Sequence, residues 1–177
     1  MKYIPFSLTA LVILLDQAVK IFIADQWPLR QGEKARLISD VFNNEFLEIY
    51  HVRNTAMAFG LGHALPDSVR FMVFIVLPLG ALCFLLWHYF KAKDISSLQR
   101  WTVAGILGGG IGNLIDRMFR PDGVVDFISV KFYGFLGIER FPTFNIADSS
   151  VVICLFTLLI SMFFDKKPQI TKTEVIS

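Results

Sequence analysis

Cysteine is scarce in this chain: two residues in 177, Cys83 and Cys154, both inside apolar runs. A disulfide framework or a thiolate metal centre calls for clustered or loop-borne cysteines, so these two read as small buried hydrophobes. Charge is scarce as well. Asp, Glu, Lys and Arg together make up 18% of the residues, and the net charge of +2 is scattered, which excludes a nucleic-acid footprint. The sequence has no zinc-type spacing, no phosphate-cradling glycine loop, no repeat, no low-complexity tract and no linker. No Ser or Cys stands beside a convincing base. What is abundant is apolar: 54% of the residues are hydrophobic, and the mean hydropathy is +0.56. Several runs approach the ~20 apolar residues that cross a bilayer. These features describe one polytopic membrane domain, residues 1–177, with no cofactor and no metal expected.

Four spans are expected, at about 4–23, 69–90, 101–115 and 147–164. The first resembles a secretory signal peptide, but the candidate cleavage sites at Ala18 and Ala24 put Asp16 and Phe22 where a small residue is needed, so it reads as retained. Within it Thr9, Asp16 and Lys20 share one helical face, and Asp16 precedes Lys20 at i,i+4, the favourable order for a helical ion pair. A structural pair facing the bundle interior is one reading; support of an active site is the other.

Residues 24–68 form an insertion too long for a simple connection. Leu37–Val52 is rich in strand formers, which predicts a small β element at the membrane surface. The stretch Arg53–Gly62 that follows reads as an interfacial helix or flap. Pro78 near the middle of the second span predicts a kink. In the third, Gly105 with Gly109 and Gly108 with Gly112 recur four apart, a spacing that lets helix backbones approach closely in lipid. That packing does not account for Asn113, Asp116 and Arg117 at the exit. The tail to Ser177 is polar and reads as mobile. Lys and Arg cluster near the span ends on the side of the two termini, which favours cytoplasmic termini.

Two carboxylates, Asp126 and Asp148, lie in apolar surroundings beside membrane-length runs, where an ionisable group asks for a reason. The connection between the third and fourth spans puts both on one membrane face. Two carboxylates in one site cannot both ionise cheaply, so a single proton is held between them. Such a pair hydrolyses amides directly, one partner accepting a proton from water while the other donates to the scissile carbonyl. Asp148 also has a structural reading: Asn145 followed by an acid three residues later is a helix N-cap. Asp126 could equally be a turn residue after Pro121-Asp122-Gly123, although Val124, Val125, Phe127 and Ile128 around it favour partial burial. Both readings of Asp148 can hold together. The helix start favours ionised Asp148, so Asp126 is expected to carry the shared proton more often. Three other classes compete: an ion-coupled carrier, which would show duplicated halves; an assembly factor, which would not need the polar cluster; and a metal-dependent hydrolase using Asp116, Asp126 and Asp148.

The segments Asp16-Gln17-Ala18-Val19-Lys20, Asn54-Thr55-Ala56-Met57-Ala58-Phe59-Gly60, Gly108 to Arg117, Val124-Val125-Asp126-Phe127-Ile128 and Phe141 to Ser149 resemble, in order, the signature blocks of bacterial lipoprotein signal peptidase (signal peptidase II). The resemblance spans nearly the whole chain. It implies an all-α membrane protein of four transmembrane helices with a small extracytoplasmic β-cradle and a surface helix between spans one and two. It further implies an intramembrane aspartyl endopeptidase that removes the signal peptide from diacylglyceryl-modified prolipoproteins, cleaving before the lipidated cysteine. Carried over, Asp126 and Asp148 are catalytic, Asn54, Asn113, Arg117 and Asn145 bind substrate, and Asp16 and Lys20 are supporting. The implied partners are lipid-modified prolipoproteins, membrane lipids and globomycin-type inhibitors. The implied setting is a monomer in the bacterial inner membrane with the active site toward the outer face. Ala56 stands where that family usually has glycine, and Val19 where it commonly has Ser or Thr; neither touches the aspartates.

Overall fold

A computed structural model describes residues 2–55, 66–92 and 94–164. The expected flap between Arg53 and Gly62 falls largely outside the described residues, as does the tail beyond residue 164. Among the described residues, three helices are long and apolar enough to cross a membrane: Phe6–Gln26, Ser68–Lys91 and Ile146–Phe164. Their outward faces are apolar and exposed, with Leu14, Phe84 and Phe163 among them. That is how a helix surrounded by lipid is expected to look, since lipid buries what the protein does not. Cys83 is exposed on such a face rather than buried within the protein, for the same reason; Cys154 is half-buried.

Helix α1 (Phe6–Gln26) buries Thr9, Val12, Asp16, Lys20 and Ile23, a stripe of three- and four-residue steps that turns polar groups inward. The second apolar helix is interrupted. It begins as α2 (Asp67–Phe71), passes through a π-helical turn (Met72–Val76) and continues as α3 (Leu77–Lys91). The irregularity sits just before Pro78, where the kink was expected.

Helix α4 (Ser97–Phe119) starts with a reciprocal cap in which Gln99 N–H donates to Ser96 Oγ and Ser96 N–H donates to Gln99 Oε1. At 23 residues it reaches further at both ends than the expected third span at 101–115. It is not among the three strongly apolar helices, because glycines and the polar exit residues lower its hydropathy. It packs instead as the central helix, against α1, α3 and α5 (Ile146–Phe164). The glycines make this possible. A Cβ on Gly108 would lie 2.9 Å from Val12 Cβ and 3.1 Å from the Thr9 backbone, and one on Gly109 would collide with the Ala147 carbonyl.

The β element is larger than the sequence suggested. Strands β1 (Ala35–Asp40) and β2 (Leu47–Asn54) lie in the expected insertion. The connection after α4 contributes β3 (Val124–Phe135) and β4 (Ile138–Arg140), giving an antiparallel sheet in the order β1-β2-β3-β4. An all-α description therefore omits a four-stranded sheet drawn from two separate connections. Val124–Phe127 read as an apolar run with a single carboxylate; what makes them a strand is the edge of β2, where Val52 pairs with Asp126 and Asn54 with Val124. A satellite core of Ile23, Val125 and Phe127 fixes this sheet to the end of α1.

Candidate active site

Asp126 sits on β3 and is 2% exposed. Its position relative to α5 is set by backbone pairing. Phe144 N–H donates to the Ile128 carbonyl at 3.0 Å, and the Phe144 carbonyl accepts from the Phe127 and Ile128 amides at 3.0 and 2.8 Å. This strap brings the next residue, Asn145, against Asp126. Asn145 then caps α5. Its Oδ1 accepts from Asp148 N–H at 2.9 Å, and its own N–H donates to Asp148 Oδ2 at 3.2 Å. The N-cap legible in the sequence is present, and it lies between the two carboxylates.

Asn145 is fully buried and every polar atom of its side chain is committed. Its Nδ2 donates to Asp126 Oδ1 at 2.7 Å and to Asn113 Oδ1 at 3.1 Å, while Oδ1 holds the Asp148 amide. Its place is therefore inside the scaffold of the site rather than at the face a substrate would meet. Asn54 Nδ2 donates to Asp126 Oδ2 at 2.8 Å, and Asn113 Nδ2 donates to Asp148 Oδ1 at 2.7 Å. Both aspartates, with Asn54, Asn113, Arg117 and Phe141, line one cavity of about 300 Å³.

The electrostatics of Asp126 follow from this setting. Its two donors are neutral amides, and it is buried beside a second carboxylate. Burial first, and then the negative charge of Asp148, push its pKa up from the ordinary carboxylate value to about 7, against the lowering effect of the Asn54 and Asn145 hydrogen bonds. A carboxyl in that state can hold and deliver a proton near neutral pH.

Below the aspartates lies a buried ionic cluster. Lys20 directs its three N–H groups to Asp16 Oδ2 at 2.7 Å, Asp116 Oδ2 at 2.8 Å and Asn113 Oδ1 at 3.0 Å. Asp16 Oδ1 accepts from Ala147 N–H at 3.0 Å, tying α1 to the first turn of α5. Because Asn113 Oδ1 receives both Lys20 and Asn145, the Asn113 amide has one permitted orientation, the one that points its NH₂ at Asp148. The Asp16–Lys20 pair closes the bundle, and Lys20 also fixes the Asn113 amide that holds Asp148.

Gln17 and Arg120 also belong to this cluster without standing out in the sequence as site residues, and Asp116, which the sequence offers only as a possible metal ligand, joins them. Gln17 Nε2 reaches Asp16 Oδ2, the Gly112 carbonyl and Asp116 Oδ1, and Arg120 Nη1 lies 3.4 Å from Asp116 Oδ1. The signal was available in the spacing of Asn113 and Asp116, which share a helix face, and in a Lys20 whose local partner leaves two donors unaccounted for. Arg117 Nη1 donates to the Phe74 carbonyl at 3.2 Å, and its guanidinium lies 5.1 Å from the centre of the Phe74 ring. Among the described residues no group of three or more His, Cys, Asp or Glu is placed to hold a metal ion.

Comparison with known proteins gives a consistent picture. The family model for signal peptidase (SPase) II matches residues 8–164. A lipoprotein signal peptidase of Treponema denticola is 47% identical over 86% of this chain and 84% of its own length. The lipoprotein signal peptidase of Treponema pallidum (strain Nichols) is 42% identical over 94% of this chain and 86% of its own. One of Borreliella burgdorferi is 42% identical over 91% and 90%. Among solved structures, a bacterial membrane enzyme at 1.9 Å resolution superposes with a TM-score of 0.72 at 25% identity, covering 92% of this chain and 94% of that one. A second, at 2.3 Å, superposes with a TM-score of 0.71 over 98% of this chain and 94% of that one; at 24% identity it speaks to the fold alone.

Proposed function

Since the chain belongs to the signal peptidase II family, a family of peptidases, we propose that it is an aspartyl endopeptidase that removes the signal peptide from diacylglyceryl-modified prolipoproteins, cleaving just before the lipidated cysteine. The observation that carries this reading is the placement of Asp126 and Asp148 on one cavity, bracketed by Asn145, which bonds to both. Helix α4 crosses the membrane as the third of four spans. The termini face the cytoplasm, and the aspartates face the outer rim of the inner membrane, where a lipid-anchored substrate and water can meet. The enzyme acts as a monomer and is a target of globomycin-type inhibitors.

In the reaction, ionised Asp148 accepts a proton from water as the water oxygen attacks the scissile carbonyl carbon. Protonated Asp126 gives its proton to the carbonyl oxygen, and a gem-diol forms. Asp148 then passes its proton to the amide nitrogen while Asp126 recovers one from a hydroxyl. The C–N bond breaks, releasing the signal peptide as a carboxylic acid and the lipoprotein as a free amine. Asp148, opening α5 with a backbone N–H and Asn113 as donors, is suited to the ionised role. Asp126, with its pKa raised to about 7, is suited to the protonated one. Asn54 and Arg117, at the cavity wall, orient the substrate backbone and lipid-linked segment.

Incubation of the purified protein in detergent with a diacylglyceryl-modified prolipoprotein, read by mass spectrometry of the released signal peptide, tests the reading. Asp126→Asn and Asp148→Asn are each expected to lower turnover by at least about 10²-fold, the lower end of what positioned proton transfer contributes. Robust turnover by either variant removes that residue from the mechanism.

A further inference from the structure

Pro78 has no N–H to offer the Phe74 carbonyl four residues earlier, and its ring crowds that same carbonyl. The chain answers with a π-helical turn at Met72–Val76, in which Leu77 N–H bonds to the Met72 carbonyl, one residue further back than in an α-helix. In lipid a displaced carbonyl needs a donor. The donor comes from another helix: Arg117 Nη1 of α4 reaches Phe74 O at 3.2 Å. The Phe74 ring lies under the same guanidinium, 5.1 Å from its carbon. Phe74, Pro78 and Arg117 border a cavity of about 240 Å³ together with Asn113 and Asp148.

We propose that Pro78 and Phe74 are positioning residues that form a seat for Arg117: the proline turns the Phe74 carbonyl outward, and carbonyl and ring together hold the guanidinium at the wall of the aspartate cavity. This inference rests on the reading of that cavity as the substrate site. Arginine carries much rotamer freedom, and a substrate that had to order it on binding would bind more weakly. A fixed acceptor on one side of the guanidinium leaves its remaining N–H groups directed into the cavity, toward a substrate carbonyl. The helix irregularity is then a functional feature of the second span rather than a packing defect.

The seat separates stability from affinity in opposite directions. Pro78→Ala restores an N–H four residues after Phe74 and removes a residue that disfavours a helix interior. The variant is expected to unfold in detergent no earlier than the parent. Its KM for a diacylglyceryl-modified prolipoprotein peptide is expected to rise about tenfold, the scale of one hydrogen bond to a charged group, with kcat within about twofold. Phe74→Leu keeps the carbonyl and removes the ring, and is expected to raise KM by at least about threefold, the lower end of what a cation–π contact contributes. In an Arg117→Ala background, Pro78→Ala should leave KM unchanged, because there is no guanidinium left to seat. Wild-type KM in both single variants overturns the proposal, as does an equal effect of Pro78→Ala with and without Arg117. If Pro78→Ala cannot be recovered folded, Phe74→Leu decides. These outcomes leave the assignment of the aspartates standing; turnover by Asp126→Asn or Asp148→Asn would remove it.

Discussion

Replacing Lys20 by Met tests what the buried cluster contributes. The ammonium is fully buried, and its three donors go to Asp16, Asp116 and Asn113 at 2.7, 2.8 and 3.0 Å. Two accounts of its loss differ in size. If only interhelical hydrogen bonds mattered, at about 0.6 kcal/mol each in a membrane protein, the two to Asp116 and Asn113 on α4 would sum to roughly 1 kcal/mol, Asp16 being on α1 itself. If leaving buried carboxylates without their cation dominates, the cost is about 3–5 kcal/mol. The second account should win, because Asp116 keeps Arg120 at 3.4 Å but Asp16, which is 0% exposed, has no other cation among the described residues. It follows that Asp16→Asn should rescue Lys20→Met. The amide keeps Oδ1 for Ala147 N–H, and Gln17 loses one of three acceptors while two, the Gly112 carbonyl and Asp116 Oδ1, remain for its two hydrogens. Unfolding by SDS titration in mixed micelles would give both values. The expected result is a loss of about 3–5 kcal/mol for Lys20→Met, with at least about 1 kcal/mol recovered in the double variant. A Lys20→Met loss below about 2 kcal/mol that Asp16→Asn deepens would refute the charge argument and leave simple bond counting.

The remaining predictions concern the reaction and the packing. With Asp126 delivering the proton, kcat/KM should fall on the alkaline side with an apparent pKa near its value of about 7, since the protonated form is depleted as pH rises through it; a rate still climbing at pH 9 would contradict the assignment. Turnover should be unchanged in strong chelator, and a loss reversed by added divalent metal would favour a metal-dependent hydrolase instead. Gly109→Ala should separate α4 from α5, because the new Cβ meets the Ala147 carbonyl and lies 2.8 Å from Val151 Cγ2. An overpacking cost of about 1–3 kcal/mol in SDS titration is expected, with turnover falling too as Asp148 moves with the helix; unchanged stability would refute the close α4–α5 contact as a source of stability.

The sheet and the ionic cluster show most clearly what lay beyond sequence reasoning. Val124–Phe127 is apolar around one acid, a pattern equally compatible with a span end, a turn or a strand; the edge of β2 decides among them, and that edge comes from a connection some seventy residues away. The fate of Lys20 was likewise only half legible. Its i,i+4 partner Asp16 follows from helical geometry, whereas Asp116 and Asn113 join it only because glycines let α1 and α4 touch. Asn145 could be recognised as a cap from its spacing to Asp148, yet not as the residue that also grips Asp126, because that contact depends on the backbone strap between Phe144 and Ile128.

By itself the sequence determined the apolar helices, the N-cap of α5, the region of the second span where Pro78 interrupts the α-helical pattern, and the presence of two acids in an apolar setting. These are local quantities: length, periodicity and the cost of an ionisable group in hydrocarbon. The tertiary structure alone decided that Asp126 is on a strand, that one residue, Asn145, links both carboxylates through its side chain and its backbone N–H, and that Arg117 rests on a carbonyl displaced in another helix. Each of those depends on groups far apart in the chain meeting within a hydrogen bond, and sequence periodicity carries no information about such meetings.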